Sequence, residues 1–213
     1  MGSFRALGIG MTAVVALWGT HAMAIETPKY DIVRRYADFE VRSYAPIVVA
    51  ETQVNGERSA VGNEAFSRLA GYIFGKNRAS QKIAMTAPVT QEPEKSVRIA
   101  MTAPVNQVET SPNSWVVQFT MPSSFTLTTL PKPNDPRVTL REVPARTVAA
   151  IRYSGTWSQS NYDKHLAALR GALAREGLVA GSEPIWARYD PPYKPWFMRT
   201  NEILIEVQTP RGP

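Results

Sequence analysis

The stretch VRSYAPIVVAETQVNG, residues 41–56, returns near the middle of the chain as LREVPARTVAAIRYSG, residues 140–155. In this alignment Arg42 falls on Arg141, Val49 on Val148, Ala50 on Ala149 and Gly56 on Gly155. Both copies are rich in Val, Ile and Thr and carry a proline near the middle. Each reads as a strand, a bend and a second strand that ends at a glycine. A helical period follows both. Residues 59–74 place Phe66, Leu69 and Ile73 on one stripe, and residues 159–176 place Tyr162, Leu166, Leu169 and Leu173 on another. Such spacing marks one buried helix face. Gly75 and Gly177 follow as stop signals. A chain that repeats strand, strand and helix in this way is constrained to one α+β domain. Its sheet most simply curls into a saddle or barrel with two helices packed on it.

Further strands are expected over 82–90, 97–105, 114–121, 184–189 and 202–208. The segment 122–136, with Pro122, Pro131, Pro133 and Pro136, reads as the linker between halves of about 30–121 and 137–208. A shorter repeat sits inside the first half. IAMTAPV occupies 83–89 and again 99–105. Alternation would put Ile83, Met85 and Ala87 on one face, and likewise Ile99, Met101 and Ala103, with Pro88 and Pro104 ending each strand. The two copies would form a hairpin around an exposed loop at 90–98. Its methionines read first as core filler.

Residues 1–24 have a different character. Arg5 provides a positive start, residues 6–18 are apolar, and Ala22-Met23-Ala24 has the form of a signal-peptidase site. The expectation is cleavage before Ile25, a periplasmic or secreted protein and no stable membrane anchor afterwards. The apolar run is shorter than the roughly 20 residues of a membrane span. The chain has no cysteine, which excludes disulfides, thiolate catalysis and Cys-based metal sites. With 24 Lys and Arg against 18 Asp and Glu it carries a net charge of +6. The basic residues are scattered, which argues against nucleic acid as a partner. A mild positive field favours a small anionic ligand.

The phrases GYIFGKN (71–77), KIAMTAPV (82–89), FTMPSSFT (119–126), YSGTW (153–157), YDPPYKPW (189–196) and MRTNE (198–202) occur in that order. Their set resembles the SOUL/haem-binding-protein family across nearly the whole chain after residue 25. The resemblance implies a distorted antiparallel β-barrel flanked by two long helices, a design shared with bacterial small-molecule effector-binding domains. It also implies binding of haem or a related tetrapyrrole by an extracytoplasmic carrier, buffer or sensor. Carried over, the positions facing the ligand are Phe66, Leu69, Ala70 and Ile73 on the first helix. Lys194 and Arg199 are the cations for its propionates. Haem presents a broad apolar face and two carboxylates on one edge, so apolar walls with a basic rim suit it. Gly71 departs from relatives that carry a lysine there, and Lys76 or Lys82 is the replacement to look for.

Axial ligation has one histidine candidate after residue 24. This is His165, beside the second helix's stripe. A lone histidine at such an edge is usually a boundary residue. Met85, Met101 and Tyr72 are poorer ligands, so binding without a strong protein ligand is expected. An enzyme of the related effector-binding fold would instead need a pocket acid. Glu40, Glu51, Glu64 and Glu202 are the candidates, with Tyr72 or Tyr153 as partner. Alternatively, Lys194 and Arg199 simply staple a Pro-rich loop, with Arg199 on Asp190 or Glu202.

Overall fold

A computed structural model describes residues 25–79 and 96–208. Its elements run β1 (Tyr30–Arg35), β2 (Glu40–Tyr44), β3 (Ile47–Asn55), α1 (Arg58–Ile73), β4 (Asn77–Arg78), β5 (Val105–Ser111), β6 (Ser114–Thr120), β7 (Lys132–Pro133), β8 (Thr139–Val143) and β9 (Arg146–Tyr153). After these come α2 (Gln159–Arg175), β10 (Val179–Ala180), β11 (Ile185–Arg188), a single 3-10 turn (Trp196–Met198) and β12 (Asn201–Gln208). Each of the two matched stretches thus forms two strands split at its proline, followed by a helix. The closing glycines are needed there. Gly56 and Gly155 sit at φ 132° and 116°, a region closed to most side chains. A Cβ on Gly155 would also lie 2.7 Å from the amide of Asn161.

Neither strand pair folds back on itself. β2 pairs with β9 and β3 with β8, so the two stretches exchange partners. The main sheet is antiparallel and runs β1-β2-β9-β12-β11-β5-β6-β3-β8, with β10 attached to β12. It curls into a half-barrel whose end strands β1 and β8 do not pair with one another. The barrel expected above is therefore open.

Both helices cover the same face of this sheet. α1 lies over β3 and β6, and α2 over β9 and β12. The first contact buries Ala65, Leu69, Tyr72 and Ile73 with Ala50, Val54, Trp115, Val117 and Phe119. The second buries Tyr162, Leu169, Ala172 and Leu173 with Val41, Ala149, Ile151, Ile203 and Ile205. Each large side chain withdrawn from water here contributes about 2 kcal/mol. Trp115 and Trp186, ring centroids 6.5 Å apart, join the two clusters.

Three expectations need correction. The second IAMTAPV copy is not a strand, because residues 96–101 have no regular structure and β5 begins only at Val105. The segment instead closes the end of α1. Ile99 N donates to Ile73 O (2.8 Å), and the Asn77 side chain brackets Val97 from both sides. Thr102 makes one isolated bridge with Glu26. The first copy, and with it the hairpin, lies outside the described residues, as does the whole leader. Second, the segment after Pro122, read above as the linker between halves, also contributes to the core. Leu130 is buried in the α1 cluster and Phe125 packs against it. Third, β1 went unforeseen because it is an edge strand with five of six residues exposed, so its sequence YDIVRR shows no buried alternation.

Candidate functional site

The two strands at the centre of the sheet, β11 and β5, lie between the helices. The strand registers place Tyr153, Asn201, Arg188, Val105 and Phe119 in one row across the helix-covered face. One end of the row is walled by α2, where His165 stacks on Tyr153 with ring centroids 4.3 Å apart. The other is walled by α1, where Phe66 meets Phe119 edge-on at 5.3 Å. Trp157 lies over the middle of the row. Its Nε1 donates to Asn201 Oδ1 (2.8 Å), and the guanidinium carbons of Arg188 and Arg199 lie 4.9 and 4.3 Å from its ring centroid. A cation so close to an indole face is held by the ring's negative potential.

The stripe of α1 beside this row is Gly62, Phe66 and Ala70, continued at the same spacing by Phe74, which caps the helix. Phe66 and Phe74 are 40% and 58% exposed. A Cβ on Gly62 would lie 4.0 Å from Arg188 Nη1, so the stripe begins beside a cation. It ends beside another. The Lys76 methylenes lie 3.1–3.8 Å from where a Gly71 Cβ would stand. Lys76 thus fills the space that a side chain at Gly71 would take, and it lines a cleft of about 310 Å³ with Arg68, Tyr72, Asp135 and Arg137.

The residues carried over from the family fall into three places. Phe66 and Ala70 belong to this stripe. Leu69 and Ile73 point the other way, into the core, and show no more than 1% of their surface. Lys194 and Arg199 are held in the loop between β11 and β12. Lys194 Nζ pairs with Asp190 at 2.6 Å, and Arg199 donates to the carbonyls of Lys194 (2.8 Å) and Pro192 (2.5 Å). The two cations do staple the loop, but Arg199 does so through carbonyls and not through Asp190 or Glu202. Asp190 is occupied by Lys194 and by Thr200 N (2.6 Å). Arg188 and Trp157 complete the site: strand register brings Arg188 beside Gly62 of α1, and Trp157, in the quoted YSGTW phrase, lies over it from the turn after β9. Gln107 Nε2, buried beside Trp186 on this face, has no hydrogen-bond partner.

The acids weighed for catalysis lie elsewhere. Glu202 is on the opposite face, fully buried. It accepts from Arg42 Nη1 and Nη2 (2.9 and 3.1 Å), from Arg152 Nε (3.0 Å) and from the Tyr189 hydroxyl (2.6 Å). Burial alone would raise its pKa, but the hydrogen bonds from Arg42 and Tyr189 outweigh it and hold the carboxyl below the usual range. Burial likewise opposes Glu51, whose bonds from Arg141 and Gln118 also leave its carboxyl lowered. Glu40 pairs with Arg35 and Arg42, and Glu64 with Arg68. The tyrosine beside Glu202 is Tyr189, while the Tyr72 hydroxyl donates to Pro131 O and Tyr153 stacks on His165. All four carboxylates are occupied by cations, and Glu202 and Glu51, with lowered pKa values, are not poised as proton donors.

A family model described as SOUL heme-binding protein matches residues 25–206. Heme-binding protein 2 of Mus musculus is 26% identical over 203 residues, covering 88% of this chain and 93% of its own. Heme-binding protein 2 of Homo sapiens is 27% identical over 196 residues, with 89% and 90% covered. Among solved structures, the C-terminal domain of EcmrR superposes with a TM-score of 0.58 at 10% identity, covering 84% of this chain and 98% of that one. A hydrolase from Listeria innocua gives 0.55 at 11% identity, with 83% and 94% covered. At such identities these two are similar in fold alone.

Proposed function

Since the chain belongs to the SOUL heme-binding protein family, we propose that haem or a related tetrapyrrole lies along the exposed stripe of α1, flat against Phe66, Ala70 and Phe74. The reading rests on one juxtaposition: Phe66 and Phe74 left in solvent on either side of the buried Ala70, with Arg188 beside Gly62 at the start of their stripe. The donor set suits the ligand. Aromatic and small side chains take the macrocycle's apolar face, and the guanidinium of Arg188 or Arg199 takes a propionate. The fully buried Leu69 and Ile73 support the stripe from beneath. Lys76 stands in for the lysine absent at Gly71.

The iron receives no strong ligand from the protein in this reading. Burial, and Lys164 beside it, keep the His165 imidazole below its usual pKa, hence neutral, but its ring is engaged with Tyr153 on the α2 wall. Such a site holds and releases a tetrapyrrole. With residues 1–24 read as an export signal, the role is that of an extracytoplasmic carrier, buffer or sensor.

The test is a haemin titration of the chain from Ile25, followed in the Soret region. Saturation near one equivalent is expected. Lys194→Ala/Arg199→Ala should weaken binding about tenfold, the loss of one charge-assisted contact, and His165→Ala should leave the Soret position unchanged. A shift no different from that of an unrelated basic protein would sink the reading.

A further inference from the structure

The loop from Asp190 to Thr200 carries more apolar surface than a haem rim requires. Tyr193 is 87% exposed, and Trp196, Phe197 and Met198 each show more than half of their surface. Pro192 and Pro195 are exposed between them. Lys194, the one polar residue within this run, is turned back onto Asp190. Solvent-exposed aromatic clusters of this kind usually mark a contact surface.

The loop is also held rigidly. Asp190 clamps Lys194 and Thr200 N, Arg199 binds two carbonyls of the loop, and Trp196 O accepts from Gly155 N (3.1 Å). The polar atoms are thus satisfied inside the loop while the apolar side chains face out. Ordering such side chains before contact removes much of the entropy cost of binding. The tip is convex, since a residue as exposed as Tyr193 has no opposing wall.

We propose that this tip inserts into the interfacial region of an anionic lipid bilayer. Trp, Tyr, Phe and Met flanked by cations are the composition that settles at a membrane–water interface. Arg199 meets no carboxylate among the described residues, and Arg188 lies behind it over Trp157. The net charge of +6 adds a general attraction to anionic headgroups. The contact is peripheral, since among the described residues no helix is long and apolar enough to cross a membrane. It does not depend on haem being the ligand.

The experiment uses the chain from Ile25, which contains every element of the fold, without haemin. Vesicles of phosphatidylglycerol and phosphatidylcholine in equal parts are compared with phosphatidylcholine alone by co-sedimentation. Binding to the anionic vesicles is expected, falling at least tenfold for Trp196→Ser/Phe197→Ser with the folded circular dichroism retained. With brominated lipid, tryptophan emission should be quenched. Trp196→Phe should abolish most of that quenching while binding persists. Absence of binding, or binding that the double change leaves intact, would overturn the proposal. So would a double variant that keeps vesicle binding and loses only haemin, because the tip would then belong to the ligand groove. Failure of the haemin titration with success here would leave the membrane contact standing.

Discussion

α1 leaves Phe66 and Phe74 in solvent, whereas the large apolar residues of α2 are covered and its outer face is charged or small. The ends of the two helices differ in the same sense. The N-terminus of α2 is capped by Ser158, whose Oγ accepts from Asn161 N, and Arg175 sits in its last turn, where a cation suits the helix dipole. α1 begins after Glu57 with no side-chain cap, and it has no acid in its first turn and no base in its last. The two helices occupy equivalent places on one sheet, yet the second is built for stability and the first presents surface. The opposite face of the sheet repeats the contrast. Under the second half lies the fully buried Glu202 cluster, and under the first the half-exposed Glu51–Arg141 pair.

The largest expected effect would break that contrast at the charges. Glu202→Gln leaves Arg42 buried with half its partners and should cost about 3 kcal/mol or more in urea denaturation. Glu51→Gln, with a partner half in solvent, should cost under about 1 kcal/mol. The difference also depends on pH. The folded Glu202 carboxyl lies below its ordinary 4.5, so its contribution is full above that value and fades as pH falls toward the folded one. Wild type and Glu202→Gln should therefore converge in stability in acid, and a gap that held constant would refute the assignment.

A smaller effect tests the open stripe. Phe66→Ser and Phe74→Ser should each weaken haemin about tenfold, or about 1.4 kcal/mol, with little change in Tm. Ala168→Ser on the outer face of α2 should change neither. Equal losses from both helices would show that the ligand does not distinguish them.

The smallest effect concerns the caps. Ser158→Ala should destabilise by about 1 kcal/mol. Glu57→Ser, which supplies α1 with the cap it lacks, should gain roughly 0.5 kcal/mol. Thermal melts of the two variants should shift in opposite directions.

Much of the frame was legible because it depends on short-range periodicity. β2 and β3, β8 and β9, both helices, β6, β11 and β12 lie where alternation, helical spacing and closing glycines put them, within a residue or two. β1 was missed because its exposed, charged side chains carry no such signal. The IAMTAPV copy at 99–105 misled because apolar residues bury equally well in an irregular segment that caps a helix. For the site, the helix stripe of Phe66 and Ala70 was legible as chemistry, while the assignment of Leu69 and Ile73 to the same surface overlooked that they face inward. Arg188 was invisible, since it meets α1 only through strand register, and Trp157 was legible only as part of the YSGTW phrase, without its partners.

By itself the sequence determined both helices and most of the strands, which helix faces are apolar, and to which family the chain belongs. These follow from residue types at fixed short spacings. The tertiary structure alone decided that the two matched stretches exchange strands, that the sheet stays open, and that Arg188 and Arg199 gather on Trp157 with Arg188 beside α1. It also decided that Glu202 is satisfied by three partners. The reason is that pairing across about a hundred residues depends on how two surfaces fit, and no local pattern encodes that fit.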